Sequence, residues 1–286
     1  MLPPADRAKP ASVVVLLHGG GQSMHKMVAR HGAAMARWPV VARLGNTLLL
    51  IPNGTDPQTG SGAGERQHWN DLRENDIVDG TDADDVGFIL DMLDWAGTEF
   101  RTDADHVFVT GASNGGMMVF RLLIEAPSRF AAGAAFIAAL PDGPPLAVPA
   151  HPVPLMIANA TDDPLIPWAG GTIGRARGKV MSALGTRNWW VAANRATTFG
   201  HEFELLPDLD PDDGCRISVD FFPAGAGGAP VLFSTMIGSG HAAPTRQQDA
   251  RNGPVLRTLL GPTCHDAEAV DLAWDFFMRY GRGATR

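Results

Sequence analysis

The chain is short of cysteine, of long apolar runs and of positive charge. Its 286 residues include two cysteines, Cys215 and Cys264, so several disulfides are excluded and at most one bridge can form. No apolar run approaches the roughly 20 residues that a membrane-spanning helix needs. The 23 Lys and Arg residues are outnumbered by 31 Asp and Glu, and the formal net charge is −8. This deficit argues against a surface that binds nucleic acid, and no membrane partner is expected either.

The sequence also carries few signals of secretion or of metal binding. The first residues lack a charged segment followed by an apolar one, so the sequence shows no secretory signal and favours a cytoplasmic location. In that compartment two unpaired thiols are the expected state of the cysteines. Residues 208–212 carry aspartate at every second position, as a calcium loop does. However, the loop's sixth position is not glycine and its twelfth is Val219, so a solvated turn is predicted and no metal or other cofactor is expected.

Against these absences stands a regular alternation of apolar runs and helical patterns. Hydrophobic residues make up 45% of the chain, enough for a sizeable core. The alternation predicts a single α/β domain over residues 1–286, with a mostly parallel sheet flanked by helices. Continuous apolarity in the first strand predicts burial on both of its faces. The predicted strands are 13–18, 47–52, 106–110, 132–138, 154–158, 217–222 and 231–237. Helices are predicted through 86–96 and over 115–125, 179–193 and 265–280.

A serine stands at the turn between a predicted strand and a predicted helix. Residues 111–116 read Gly-Ala-Ser-Asn-Gly-Gly and match the pattern G-x-S-x-G. A buried strand precedes them and a helix follows, which is the context of a nucleophile elbow. Small residues two positions to either side allow the sharp turn, and the helix N-terminus favours developing negative charge. Ser113 is therefore the predicted nucleophile, against the alternative of a chance match in a glycine-rich chain.

A glycine-rich segment follows the first predicted strand. Residues 16–21 read Leu-Leu-His-Gly-Gly-Gly, and glycine lets backbone N–H groups approach a substrate carbonyl oxygen. Alone, the segment would be an ordinary glycine turn. His18 is expected to support the loop and not to bind a metal. Combined with the serine elbow, it predicts an oxyanion hole whose donors are the N–H groups of Gly20 and Asn114.

The base and the acid are expected later in the chain, in the order Ser, Asp or Glu, His. His241 follows the strand predicted at 231–237 and is the candidate base. His265 is predicted to open the last helix at the surface, and His201 lies ahead of the last two strands, so both are less well placed. The acid should follow the strand predicted at 154–158, where Asp162 and Asp163 are adjacent. Spacing alone does not choose between them.

Together these segments resemble the polyhydroxybutyrate depolymerase and feruloyl/acetylxylan esterase family of α/β-hydrolases. The family's acid stands two residues after the threonine of a T-x-D segment, and the resemblance maps it onto Asp163. Family members often carry cysteine where this chain has Gly20 and Arg195, so Cys215 would lack its usual partner. The family is often secreted, which leaves the location open. The segments that carry the resemblance are 17–23, 85–89, 107–116, 161–171, 240–241 and 274–277.

The resemblance gives two tryptophans a possible role in substrate binding. Trp69 and Trp168 lie on loops that leave the carboxyl ends of strands, where α/β sheets bind ligands. Aromatic walls there would suit a feruloyl ring or a polyester chain. Packing in the core is the alternative for each.

The sequence thus predicts a serine esterase. Ser113 would attack the ester, His241 would take its proton, and Asp163 would orient the imidazole. The expected partner is a small or polymeric ester. A serine peptidase of the same fold and a catalytically silent binding module are the alternatives. The sequence specifies neither the natural ester nor the oligomeric state.

Overall fold

Alternating strands and helices build a mostly parallel sheet with helices on both faces. The computed structural model of the chain describes residues 1–29, 34–73, 83–174, 177–247 and 258–281. The strands are β1 (Ala11–Leu17), β2 (Thr47–Leu50), β3 (Thr102–Ala112), β4 (Ala132–Phe136), β5 (Leu155–Ala160), β6 (Gly171–Thr172), β7 (Lys179–Val180), β8 (Glu202–Leu205), β9 (Arg216–Phe222) and β10 (Val231–Ile237). The helices are α1 (Met24–Ala29), α2 (Trp38–Leu44), α3 (Asp85–Glu99), α4 (Asn114–Glu125), α5 (Ala183–Ala193) and α6 (Ala269–Tyr280).

The main sheet has eight strands in the order β2-β1-β3-β4-β5-β10-β9-β8. The pairs from β2 to β10 are parallel, whereas β9 and β8 are antiparallel to their neighbours. Because parallel strands share a direction, the carboxyl ends of β1, β3, β5 and β10 meet at one edge. The predicted site residues lie in the segments that follow β1, β2, β3, β5 and β10, and Asn114 among them is the first residue of α4.

Apolar side chains on the two faces of β1 enter two separate cores. Val13, Val15 and Leu17 pack on the side of α3, α4 and α5. Val14 and Leu16 pack on the side of α2 and α6. The predicted burial of the first strand on both faces is therefore confirmed. Within the described ranges, no helix combines the length and apolarity that crossing a membrane requires.

Several element boundaries differ from the prediction. Lys179–Val180 pairs with Gly171–Thr172 in a small hairpin, so helix α5 begins only at Ala183. The Ser182 hydroxyl accepts a hydrogen bond from the Gly185 N–H and caps that helix. The sequence prediction also missed α1, α2 and β8. All four residues of β8 are exposed, so the strand carries no alternation of buried and exposed positions to reveal it.

The two cysteines form a disulfide, which corrects the expectation of free thiols. Cys215 and Cys264 are bonded across a sequence separation of 49 residues, and both are buried. The expectation rested on the redox compartment, which says nothing about proximity in the fold. The bridge joins the residue before β9 to the segment that leads into α6.

Candidate active site

Ser113 stands at a sharp turn between β3 and α4. Its backbone has φ 58° and ψ −126°, a conformation that a residue with a side chain rarely adopts. The Ser113 N–H donates to the Phe136 carbonyl oxygen at 2.9 Å, which fixes the turn against β4. A Cβ at Gly115 would lie inside contact distance of the Leu17 carbonyl oxygen. The glycine two positions after the serine is thus required by the close approach of β1.

The structure brings Ser113, His241 and Asp163 into one chain of hydrogen bonds. His241 Nε2 lies 3.0 Å from Ser113 Oγ, and His241 Nδ1 lies 2.8 Å from Asp163 Oδ2. The other carboxylate oxygen, Asp163 Oδ1, accepts hydrogen bonds from the N–H groups of Leu165 and Ile166, each at 2.8 Å. The side chains of His241 and Asp163 are almost completely buried. Both ends of the Asp163 carboxylate are therefore fixed, and the imidazole bridges it to the serine.

The competing residues have other partners. Asp162 is exposed, and its Oδ1 accepts a hydrogen bond from the Thr161 hydroxyl at 2.7 Å. His201 Nε2 lies 2.8 Å from Asp220. His265 is half-buried with its Nδ1 2.6 Å from the Thr245 carbonyl oxygen. It also precedes α6, which begins at Ala269, so the prediction that it opens that helix is wrong.

The loop that carries His241 is held mainly through its backbone. The N–H of His241 donates to the Leu260 carbonyl oxygen, and the N–H of Gly240 donates to that of Pro262 at 2.7 Å. The Ser239 hydroxyl donates to the same Pro262 oxygen at 3.3 Å. Residues 260–262 lead directly to Cys264, which the disulfide anchors to the sheet. The position of His241 thus depends on a segment more than ten residues further along the chain.

Gly20 and Asn114 lie side by side near the nucleophile. A Cβ built on Gly20 would stand 3.4 Å from Asn114 Cβ, and one on Gly19 would stand 3.6 Å from Ser113 Cβ. Among the described residues neither the Gly20 N–H nor the Asn114 N–H has an acceptor. The N–H of Gly21, in contrast, donates to the Gln67 carbonyl oxygen at 2.8 Å. The two predicted donors are therefore both available for a ligand.

Trp69 is fully buried, which corrects its prediction as a wall of the substrate site. Its indole Nε1 donates to the His18 carbonyl oxygen at 2.9 Å, and its ring packs on the His18 ring with centroids 4.8 Å apart. With 0% of its surface exposed, Trp69 offers no face to a substrate in this structure. The sequence placed it on the correct loop but could not show which way the indole turns.

His18 is held as a neutral imidazole with a defined tautomer. Its Nε2 accepts from the Gly54 N–H at 3.1 Å, so its Nδ1 carries the proton and faces the Gly19 carbonyl oxygen at 2.9 Å. Burial lowers the pKa of His18 to about 4. A neutral His18 therefore braces the glycine segment, as the sequence predicts.

A buried polar network that the sequence analysis missed surrounds Asn114. The Asn114 amide accepts from the Trp69 N–H at 2.7 Å and donates to the Trp69 carbonyl oxygen at 2.9 Å. Its Nδ2 also donates to Asp71 at 2.7 Å. Asp71 in turn binds the Arg73 guanidinium through both carboxylate oxygens. Asp71 and Arg73 lie outside the helices and strands, so no periodic pattern in the sequence indicates their pairing.

Two further titratable groups stand close to this network. Asp85 accepts from the Asn70 N–H at 2.6 Å, and burial raises the pKa of Asp85 to about 6. A Cβ on Gly20 would lie 3.0 Å from the ring of His68. Burial, reinforced by the positive charges of Arg177 and Arg73, lowers the pKa of His68. Asp85 belonged to the segments that carried the family resemblance, but nothing in the sequence assigned it a role.

Trp168 lies beside the predicted acid and is half-buried. With Asp163 and Asn159 it lines a cavity of about 10 Å³, room for a single water. Its ring centroid is 6.1 Å from that of Phe233. The structure therefore places Trp168 next to the site with part of its surface accessible. Within the described ranges, no group of three or more His, Cys, Asp and Glu side chains could hold a metal ion.

The chain is similar in sequence to proteins that are named as esterases. The chain is 28% identical to "Putative esterase NocK" of Nocardia uniformis subsp. tsuyamanensis over 96% of this chain and 76% of that protein. A shorter match, 42% identical over 55 residues, links 19% of the chain to 18% of acetylxylan esterase A of Emericella nidulans. Residues 60–139 match the model of the prolyl oligopeptidase family.

The solved structure of an acetyl xylan esterase from Aspergillus awamori is similar in fold. It superposes with a TM-score of 0.52 at 13% sequence identity, covering 85% of this chain and 88% of that one. A likeness at that identity concerns the fold alone. Together with the mostly parallel sheet and its flanking helices, it shows that this chain has the α/β-hydrolase fold.

Proposed function

We propose that this protein hydrolyses carboxylic esters, with Ser113 as nucleophile, His241 as general base and Asp163 as the acid that orients it. The observation that carries the proposal is the unbroken series of hydrogen bonds from Ser113 Oγ through His241 to Asp163. Its order along the chain and its position at the carboxyl edge of the sheet agree with serine catalysis on this fold. The names of the Nocardia and Emericella relatives support an ester as substrate.

In the proposed reaction, Ser113 Oγ attacks the ester carbonyl carbon while its proton passes to His241 Nε2. The carbonyl oxygen becomes an oxyanion held by the N–H groups of Gly20 and Asn114, each worth on the order of 3 kcal/mol in the transition state. The protonated His241 then donates its proton to the departing alcohol, leaving an acyl-serine. Water attacks the acyl-serine with His241 again as base, which releases the acid. Asp163 keeps the proton on Nδ1 and stabilises the imidazolium.

For the substrate class, we propose aryl, acetyl or short polyester esters. The names of the acetylxylan esterases among the similar proteins support a small acyl group in the substrate of this chain. The partly accessible indole of Trp168 beside the acid could contact a flat ring or a short polymer segment. Rates on methyl ferulate, acetylated xylan and polyhydroxybutyrate would rank these three possibilities directly.

A serine peptidase is the second candidate, favoured by the match of residues 60–139 to the prolyl oligopeptidase family. The same residues could cleave an amide, because the leaving amine also takes its proton from the imidazolium. A pair of substrates with one acyl group, joined to p-nitrophenol in one and to p-nitroaniline in the other, separates the two. Ser113-dependent cleavage of the anilide would support the peptidase, whereas cleavage of the ester alone would support the esterase.

The deciding experiment is the burst of p-nitrophenol released from p-nitrophenyl acetate. We expect one equivalent per chain, followed by a slower steady state, and Ser113→Ala should remove both. Ser234→Ala is the matched control, because Ser234 is buried and its hydroxyl has no partner among the described residues. Retention by Ser113→Ala of more than about a thousandth of the rate would count against the proposal. So would the absence of both burst and steady-state release in the wild type, which is the result expected of a silent binding module.

His241→Ala should be nearly as damaging as Ser113→Ala, and His265→Ala should have little effect on the rate. His265 serves as the control because its Nδ1 lies beside the Thr245 carbonyl oxygen and bonds no residue of the proposed triad among the described residues. If His265→Ala were the worse variant, the assignment of the base would be wrong.

A further inference from the structure

We infer that Trp69 is a positioning residue that ties the two donors of the oxyanion hole to each other. The inference rests on the proposed function, since it concerns how the N–H groups of Gly20 and Asn114 are held. One residue reaches both sides: the Trp69 indole bonds the segment before Gly20, and its backbone bonds the side chain of Asn114.

The first contact controls the start of the glycine segment. The indole Nε1 of Trp69 donates to the carbonyl oxygen of His18, two residues before Gly20. The His18 ring is itself fixed at both nitrogens, by Gly54 and by the Gly19 carbonyl oxygen. With its ring and its carbonyl both bound, His18 has little freedom to rotate. The path of the chain into Gly20 is therefore set by the Trp69 indole together with His18.

The second contact controls the residue after the nucleophile. The side-chain amide of Asn114 forms a two-point pair with the backbone of Trp69, at 2.7 and 2.9 Å. Its remaining N–H is taken by Asp71, which the Arg73 guanidinium holds. The Asn114 amide is thus fully bound, and this anchors the first turn of α4. The backbone N–H of that same residue is the second proposed oxyanion donor.

Loss of the indole hydrogen bond should weaken stabilisation of the transition state more than it weakens substrate binding. Trp69 and His18 are both fully buried, so water cannot replace the indole N–H when it is removed. An orphaned buried carbonyl costs about 1–3 kcal/mol, which the local backbone can relieve by shifting. Oxyanion donors work only about 2.7–3.1 Å from the developing charge, so a small shift weakens them. We therefore expect a loss in kcat with KM largely preserved.

The test is Trp69→Phe, which keeps an aromatic ring in place and removes the indole N–H. The matched control is Trp190→Phe, because Trp190 is also fully buried but its Nε1 has no hydrogen-bond partner among the described residues. For Trp69→Phe we expect kcat on p-nitrophenyl acetate to fall about 10- to 100-fold, less than the loss of a whole donor, with KM within about twofold. Trp190→Phe should change kcat by less than about threefold.

A trifluoromethyl ketone inhibitor gives a readout that a purely structural role would not move. Ser113 Oγ adds to its carbonyl carbon while the Oγ proton passes to His241 Nε2, and the resulting hemiketal oxyanion accepts hydrogen bonds from the same N–H groups. In Trp69→Phe its Ki should rise by the same factor by which kcat/KM falls. Asn114→Ala loosens the tie from the other side and should show the same parallel. The double variant should lose less than the product of the single losses, because both changes break one unit.

The outcomes distinguish failure of this inference from failure of the proposed function. If the wild type shows no Ser113-dependent hydrolysis, the proposed function itself fails. If hydrolysis depends on Ser113 but Trp69→Phe behaves as Trp190→Phe does, the tie is wrong and the function stands. Losses that multiply independently in the double variant would also overturn the tie. Should Trp69→Phe fail to fold, Asn114→Ala decides, since a fall in kcat/KM without a matching rise in Ki contradicts the inference.

Discussion

The two halves of the site are held in different ways. On the nucleophile side, buried side chains do the holding: the amide of Asn114, the indole of Trp69 and the ion pair of Asp71 with Arg73. On the base side, the loop of His241 is held by backbone hydrogen bonds to residues 260–262 and by the disulfide that follows them.

The difference has consequences for what can disturb each half. A network of buried polar side chains loses several partners when one member changes, because the others are left unsatisfied. A loop held by backbone hydrogen bonds tolerates most side-chain substitutions but depends on the chain segment that it contacts. Single substitutions should therefore damage the nucleophile side, whereas reduction of the disulfide should damage the base side. Substitutions on each side can test this contrast, and Asp163 comes first because its carboxylate contacts the His241 ring directly.

The largest effect is expected from Asp163→Asn. An amide nitrogen in place of Oδ2 would donate to His241 Nδ1 where the carboxylate accepts, which selects the wrong tautomer and removes the charge that stabilises the imidazolium. We expect kcat to fall by about 10⁴-fold. Asp162→Asn is the control, because Asp162 is exposed and, among the described residues, its side chain bonds only the neighbouring threonine hydroxyl. If Asp162→Asn proved the more damaging change in steady-state assays, the acid would be misassigned by one residue.

The disulfide should give the next largest effect, and mainly on stability. Removing a bridge between residues 49 apart costs about 4 kcal/mol in the chain-entropy account. The double variant Cys215→Ser/Cys264→Ser should thus unfold at clearly lower urea concentration. Because residues 260–262 support His241, the kcat of the double variant should also fall, and by more than the kcat of Trp190→Phe.

A reducing agent provides the control for the disulfide. It should lower the stability and the rate of the wild type toward those of the double variant, and leave the double variant itself unchanged. Equal urea midpoints for the wild type and the double variant would show that the bridge does not support this half of the molecule.

Two buried groups on the nucleophile side make the free energy of unfolding of the protein depend on pH, and they do so in opposite senses. Burial lowers the pKa of His18 from 6.5 to about 4, so in that interval the unfolded chain binds more protons and stability falls as the pH drops. Burial raises the pKa of Asp85 from 3.8 to about 6, so there the folded chain binds more protons and stability increases as the pH drops. In the wild type the two effects partly cancel.

Asp85→Asn should remove the second effect and leave the first. We expect the variant to lose stability more steeply than the wild type between pH 6.5 and 4, by on the order of 2 kcal/mol over the interval. Urea unfolding at several pH values measures this, with Asp91→Asn on the exposed face of the same helix as control. Parallel curves for the wild type and Asp85→Asn would contradict the raised pKa.

The same contrast explains how much the sequence could predict. Strand β10 agrees with the prediction residue for residue, because its apolar run is bounded by turn signals on both sides. Ser113 and His241 follow from local context and chain order, and the structure brings them together. The choice of Asp163 over Asp162 needed the family resemblance, since adjacent residues differ only in the direction of their side chains.

What escaped prediction depends on contacts between distant segments. The disulfide joins cysteines that become neighbours only when the segment before α6 meets the start of β9. The pairing of Asp71 with Asn114 spans 43 residues and has no periodic signature. Trp69 was placed on the correct loop, but its burial depends on the position of His18 in another segment. Local patterns report local structure, and these features are tertiary.

The smallest predicted effect concerns Trp168, the side chain that could link the acid loop to substrate choice. Its backbone carbonyl accepts from the Ala183 N–H at 2.9 Å, so the loop keeps an anchor when the indole is removed. Stacking on a flat ring is worth about 0.5–1.5 kcal/mol beyond burial, so Trp168→Ala should raise KM for methyl ferulate about 2- to 12-fold. KM for p-nitrophenyl acetate should change less, because the acetyl group is too small to reach the indole. Trp189→Ala, which removes another half-buried indole from α5, controls for general loosening. Equal effects of Trp168→Ala on the two esters would mean that the indole only packs against the acid loop.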